Sequence, residues 1–370
     1  MRILLHMFLK KYQLLISLFF SIFVVSFFSF YINKFELAPG MVGETIDVYA
    51  KNSANQRIHA INLDEQTLDD ILKSLDVKKQ NVFHIGNSQS QSVNQLKDGQ
   101  TNLIGITSNL IEEKYNFFAH TMPNMGLMEY WLVLNYWNSK VKLDYLVVPV
   151  FFDDMRESEI RSDFISKIIE DNFQIPFNDT ISQKINLNVS SEFSEIDTEN
   201  EMFGKTVERH LNNLLSDNIF FWDIRVRMKQ LVYVSLYNLR NTIFNIKPTS
   251  KRKMLKSAYI NNIKTLNLII RYCHFNNIKL HIYIPPIRND YEIPYDLEEY
   301  GLFKSFLKNI CNKEGVGFSN FENIIPNQFW GLKNSTNINS DLELDFMHFQ
   351  YDGHKILSDS IAKKILNIGL

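Results

Sequence analysis

The chain of 370 residues has only two cysteines, Cys273 and Cys311, which form no CxxC pair and have no metal-ligand spacing. Nor do histidines and cysteines cluster elsewhere, so no metal centre is expected. One disulfide or two half-buried thiols both stay open for the cysteine pair, with the thiols favoured, and no redox compartment follows. Excess positive charge is also missing. Against 39 Lys and Arg stand 41 Asp and Glu, a formal net charge of −2, and beyond the N-terminus no basic cluster or basic–aromatic interleaving occurs. A nucleic-acid surface needs such patches to neutralise phosphates, so that partner is excluded. No P-loop and no dinucleotide-binding glycine pattern is present, so no nucleotide cofactor is expected. Internal repeats and long low-complexity segments are absent.

Charge disappears altogether from Leu14 to Ile32, "LLISLFFSIFVVSFFSFYI", and Arg2, Lys10 and Lys11 precede that run. Roughly 20 apolar residues rising 1.5 Å each match the hydrocarbon thickness of a bilayer. Basic flanks stay on the cytoplasmic side. The expectation is a cytoplasmic N-terminus at 1–13 and one transmembrane anchor at 14–32 in the cytoplasmic membrane, with all that follows Lys34 periplasmic or extracellular. A cleaved signal peptide is the rival reading. The residues Tyr31 to Phe35 lack the small side chains of a cleavage site, which favours an uncleaved anchor.

Residues 33–77 read as a stalk with an entry helix, "DEQTLDDILKSL". Short apolar runs then alternate with amphipathic stretches. Val82–Ile85, Asn116–Ala119, Tyr145–Val150, Leu280–Ile284 and Val316–Phe318 read as strands; Gly126–Asn138, Lys256–Phe275, Leu297–Lys313 and Asp352–Asn367 read as helices. This alternation predicts an α/β fold over 78–370, a parallel sheet covered by helices on both faces. Its site should form beyond the carboxyl ends of the strands. Ser88, Asn124 and Asp153 all follow predicted strands. A polar then aromatic stretch at about 157–250 breaks the alternation and reads as an insertion covering one end of the sheet.

Chemistry is suggested at the two ends of that domain. "NVFHIGNSQSQSVNQL", residues 81–96, is an apolar run cut by Gly86 and followed by small polar residues around Ser88. "LDFMHFQYDGHKIL" near the C-terminus sets Asp345 three residues before His348. An acid at that spacing can bind one ring nitrogen and leave the other to take a proton from a serine hydroxyl. Glu343 and Asp341 compete for the acid's place, His354 reads as a helix residue, and His120 reads as packing near a strand end. Trp131, Tyr136 and Trp137 have helical spacing and read as core.

The two stretches resemble the first and last blocks of the SGNH (GDSL-like) hydrolase superfamily. The first reads Gly86-Asn87-Ser88-Gln89-Ser90, with Asn where Asp is usual, and the last reads Asp345, His348 and Gly353. "FFAHTMPNMGLMEYW" is similar to the second block, with Asn124 at the usual glycine; "LDYLVVPVFFDDMRE" is similar to the third, with Asp153 at the usual asparagine. The resemblance implies a flavodoxin-like three-layer sandwich, a Ser88–His348–Asp345 triad, and oxyanion donors at Ser88, Asn124 and Asp153. An ionised carboxylate repels an oxyanion, so Asp153 could donate only if protonated; otherwise the donors are the Ser88 and Asn124 groups. The pattern is most similar to the superfamily's membrane-anchored branch, which includes alginate O-acetyltransferase-like and, more distantly, D-alanyl transfer proteins. That implies an O-acetyltransferase or O-acyl esterase acting on a cell-surface or secreted polysaccharide, with a membrane-bound O-acyltransferase as partner. Two other readings stand beside it: a non-catalytic protein of polysaccharide assembly or export, and a lipase-like esterase on membrane lipids.

Overall fold

The computed structural model describes residues 17–21, 23–24, 44–156, 160–161, 165–196, 235–337 and 342–368. The chain divides into two units, Met1–Ala38 with Asp197–Asn245, and Pro39–Ile196 with Ile246–Leu370. In the first unit, 17–21, 23–24 and 235–243 are helical. The expected anchor at 14–32 otherwise lies outside the described residues, among which no helix is long and apolar enough to cross a membrane.

Among the described residues the second unit has ten strands: β1 (Thr45–Asp47), β2 (His59–Ala60), β3 (Gln80–Gly86), β4 (Ser92–Asn94), β5 (Tyr115–Thr121), β6 (Tyr145–Pro149), β7 (Lys279–Ile284), β8 (Gly317–Asn320), β9 (Trp330–Lys333) and β10 (Glu343–Phe349). Six of them make one sheet in the order β2-β5-β3-β6-β7-β8, and every pairing in it is parallel. β5 and β6 are buried at every position, as strands covered on both faces must be. β6 accordingly reads as an unbroken apolar run, while β5 also buries Asn116, His120 and Thr121.

The helices Leu127–Lys140 and Lys256–Phe275 cover one face, where Trp137 packs on Phe83 and Phe118. On the other face Tyr351–Ile368 packs against Leu103–Ile111, and the Ser358 hydroxyl donates to the Leu103 carbonyl at 3.2 Å. The expected three-layer α/β arrangement is present, and Trp131, Tyr136 and Trp137 are core.

Chain order fixes where the site sits. β3 lies inside the sheet, and the chain passes from it to β5 on one side and then to β6 on the other. The reversal opens a crevice at the carboxyl end of β3. Ser88 lies two residues beyond that end.

The stretch at 157–250, expected as an insertion covering one end of the sheet, contributes to the core where it is described. Ile168, Ile169, Ile181, Ile185 and Val189 are buried in it, and Thr180–Ile196 is a helix capped by the Asp179 side chain, which accepts from the Ile181 and Ser182 N–H groups. The Asn- and Ser-rich composition is that helix's outer face, which hid its apolar stripe. Residues 197–234 lie outside the described set. The segment carrying Asp345 and His348 is strand β10, paired antiparallel with β9, and the last helix follows it from Tyr351.

Candidate active site

Ser88 opens a single turn of helix, Ser88–Gln91, capped by Asn87, whose side-chain oxygen accepts from the Gln89 N–H at 3.1 Å. Asparagine caps as well as aspartate, which accounts physically for Asn at this place. The turn presses close to the strand before it. A Cβ on Gly86 would lie 2.6 Å from Ser90 Oγ and 2.9 Å from His84 Nε2, so only glycine lets the chain fold back this tightly. Ser88 is left half-buried at the mouth of the crevice.

From the far end of the chain comes β10, whose register with β9 shifts between Leu344 and Phe349. Asp345 shapes this irregular stretch. Its Oδ1 accepts from the Met347 and His348 N–H groups, both at 2.9 Å, while Oδ2 accepts from His348 Nδ1 at 2.9 Å. The carboxylate therefore folds the bulge and orients the ring together. Burial pushes the Asp345 carboxyl up, but the His348 charge, its hydrogen bond and the two backbone N–H groups outweigh that and hold it below the usual carboxylate range. An ionised Asp345 keeps the proton on Nδ1, so Nε2 is free to accept.

His348 Nε2 lies 3.0 Å from Ser88 Oγ, across 260 positions of sequence. That is within the 2.6–3.2 Å, roughly, over which a base takes a proton. The His348 side chain is 21% exposed and that of Asp345 only 3%, so a substrate can reach the ring while its partner stays shielded.

The competitors are elsewhere. Glu343 accepts from Ser335, Thr336 and Asn337, and Asp341 lies outside the described residues. His354 is buried against the Ser92 carbonyl, and His120 takes the Trp137 indole N–H at 3.0 Å on the opposite face of the sheet from His84.

At the expected oxyanion positions the outcome is divided. Asn124 has φ +54°, a left-handed conformation that glycine or asparagine tolerates. Its turn hangs on β3, since the Met122 N–H donates to the Gly86 carbonyl at 3.2 Å. Neither the Ser88 nor the Asn124 N–H donates to another group among the described residues. Asp153 is a correction. One of its oxygens meets Arg156 at 3.1 Å, and the other meets Arg252 at 2.6 Å and the Tyr295 hydroxyl at 2.9 Å. Both carboxyl oxygens accept from these donors, so Asp153 fastens the loop after β6 and is not placed as an oxyanion donor.

Sequence reasoning missed Gln89. It is 2% exposed, and its amide nitrogen donates to the Pro286 carbonyl at 2.9 Å and the Met347 carbonyl at 2.7 Å. A glutamine has no signature for such a role; only its neighbour Ser88 pointed to it. A small apolar cleft, lined by Phe151, Phe152, Pro286, Ile287 and Met347 among others, borders this junction. A wider cavity of about 390 Å³ lies by Lys79 and Tyr115, where β3 and β5 begin, at the other end of the strands from Ser88. No group of three or more metal-ligating side chains occurs among the described residues.

No protein-family model and no curated protein matches the sequence. Two solved structures are similar in part. One is a candidate acylhydrolase from Bacteroides fragilis NCTC 9343, with TM-score 0.36 and 9% identity, over 83% of this chain and 99% of that one. The other is a GDSL-like lipase from Bacteroides thetaiotaomicron VPI-5482, with TM-score 0.36 and 7% identity, over 80% of this chain and 92% of that one. Likeness at this level leaves the assignment to the side-chain geometry.

Proposed function

We propose that this chain is a serine acyl-transfer enzyme of the SGNH hydrolase type. The observation that carries the reading is the contact chain Ser88 Oγ–His348 Nε2, 3.0 Å, and His348 Nδ1–Asp345 Oδ2, 2.9 Å. Ser88 Oγ bonds to the acyl carbonyl carbon as its proton passes to His348 Nε2, and the negative charge moves to the carbonyl oxygen. Collapse of this adduct breaks the bond to the leaving alcohol, which takes the proton from Nε2 and leaves an acyl-serine. A second hydroxyl then gives its proton to His348 Nε2 and bonds to the acyl carbon; the bond from that carbon to Ser88 Oγ breaks, and the serine takes the proton back from Nε2. Water as that hydroxyl makes an esterase, and a sugar makes an acyltransferase.

For the substrate we favour short acyl esters on a cell-surface or secreted polysaccharide. The apolar run at 14–32 behind basic residues supports a single-pass anchor in the cytoplasmic membrane with the catalytic unit outside. It would hold the enzyme where a membrane-bound O-acyltransferase could hand over its group. The test is incubation of the full-length chain with a chromogenic acetyl ester, and with bare and acetylated oligosaccharides, beside Ser88→Ala. Serine-dependent release or transfer of acetate supports the reading. Equal rates for the two proteins refute it, and fatty-acid release from phospholipid instead would move the substrate to lipids.

A further inference from the structure

Arg161 lies far from the triad in sequence, yet its side chain closes on the turn that carries Asn124. Its Nη1 donates to the Pro123 carbonyl at 2.5 Å and its Nη2 to the Asn124 carbonyl at 2.9 Å. The same guanidinium is paired with Glu129 through Nε at 3.0 Å and Nη2 at 2.7 Å. Glu129 is 1% exposed, and it also accepts the Gly126 and Arg161 backbone N–H groups at 2.9 and 3.0 Å. Two successive carbonyls are thus turned to one side and held there by a planar fork, which is itself fixed by a buried carboxylate with four donors. A lysine could not span this geometry.

The peptide bond makes the consequence specific. In a planar trans peptide the C=O and the following N–H point in opposite directions. Drawing the Pro123 carbonyl onto Arg161 therefore aims the Asn124 N–H away from Arg161. That N–H bonds to no other group among the described residues, and its turn is tied to the Gly86 carbonyl, at the end of the strand that leads to Ser88. The left-handed φ of Asn124, +54°, is what lets both carbonyls face the same cation. A guanidinium on the oxygen of a peptide also polarises that peptide and strengthens its N–H as a donor.

We infer that Arg161, buttressed by Glu129, is a positioning residue that sets the Asn124 N–H to receive the developing oxyanion. The inference rests on the acyl-transfer reading above. Arg161 touches no substrate; it acts through the peptide plane. Loss of the clamp lets that plane rotate, which weakens the transition state and leaves ground-state binding unchanged.

The experiment uses the full-length chain, p-nitrophenyl acetate, and the variants Arg161→Met, Arg161→Lys, Arg161→Ala and Ser88→Ala. Arg161→Met is expected to lower kcat by about tenfold or more, below the roughly 10²–10³-fold loss for removing an oxyanion donor outright. KM is expected to stay within about twofold, the pattern of a lost transition-state interaction. Added guanidinium at non-denaturing concentration should restore part of the Arg161→Ala rate and none of the Ser88→Ala rate, which a merely structural arginine would not show. Should Arg161→Met fail to fold, Arg161→Lys carries the test, with a smaller loss confined to kcat. A wild type no faster than Ser88→Ala overturns the acyl-transfer reading itself. An active wild type matched by the arginine variants in kcat, or variants altered only in KM, overturns this inference alone.

Discussion

Gln89 and Met347 stand 258 positions apart in sequence and are joined by a 2.7 Å hydrogen bond from side-chain amide to backbone carbonyl. The residue after Ser88 is thereby fixed to the residue before His348, and a second bond of the same amide fixes both to Pro286. Gln89→Met keeps the volume and takes the donor from the buried Pro286 carbonyl and the part-buried Met347 carbonyl. Each such group costs roughly 1–3 kcal/mol. A shift of about 1 Å between Ser88 and His348 costs on the order of 10²-fold in rate. The variant should therefore lose both stability and kcat/KM, measured by denaturant unfolding and ester hydrolysis. Native activity with lowered stability would show that the tie supports the fold and not the site.

Asp345→Asn tests the tautomer. Oδ1 already accepts two backbone N–H groups, so the amide that replaces Oδ2 must face His348 Nδ1 as a donor. The ring then carries its proton on Nε2 and offers Ser88 a donor where a base is needed. A kcat loss of about 10³–10⁴-fold with little change in melting temperature is expected. Retention of more than a tenth of the wild-type kcat would remove Asp345 from the machinery.

Asp153→Asn separates the oxyanion and structural readings. An asparagine there is what the resembled block carries, so a donor role predicts a gain in activity. The ion pairs with Arg156 and Arg252 predict otherwise: kcat/KM within about threefold of wild type and a stability loss of about 1–2 kcal/mol, since both pairs are partly exposed. Parallel melts and kinetics decide it.

Five histidines of the second unit are held neutral by burial. His59, His84, His120 and His354 fall from the ordinary 6.5 to about 3, and His281 to about 4. His59, His84 and His281 share one row of the sheet through Ala119 and Val147. Because the folded values are depressed, the unfolded chain binds more protons below about 6.5. The stability these rings contribute is full above that pH and drains as pH falls through the window from about 6.5 to 3. Unfolding free energy measured from pH 7.5 to 5 should drop with a slope of several protons, and His84→Asn should reduce that slope by about one. A flat profile would contradict this account of the core.

Much of this was legible in the sequence because buried parallel strands are short and mostly apolar. β3, β5, β6 and β7 and the helix Lys256–Phe275 fall where the pattern puts them. Leu103–Ile111 escaped because "LIGITSNLI" mixes β-branched residues with Gly105 and shows no clear helical stripe; its Asn102 cap was the available signal. β10 escaped because Asp345 and His348 interrupt the run that would mark a strand, and β9 because it is only four residues long. For the site, Ser88, Asp345 and His348 have side chains whose chemistry announces them. Gln89 and Arg161 act through backbone carbonyls, and a carbonyl leaves no trace in a sequence. Asp153 misled for the opposite reason: its position suggested a donor, while its partners Arg252 and Tyr295 lie about a hundred residues or more further on.

The central claim is that Ser88 is a nucleophile activated by His348. A fluorophosphonate probe tests it most directly, because it bonds only to a serine whose proton is being removed. Incubation of the full-length chain, followed by mass mapping of the labelled peptide, should place the adduct on Ser88. Labelling should be lost in Ser88→Ala and reduced by about 10²-fold or more in His348→Ala. A folded wild type that stays unlabelled, or a label on Ser88 that forms as fast without His348, would contradict it.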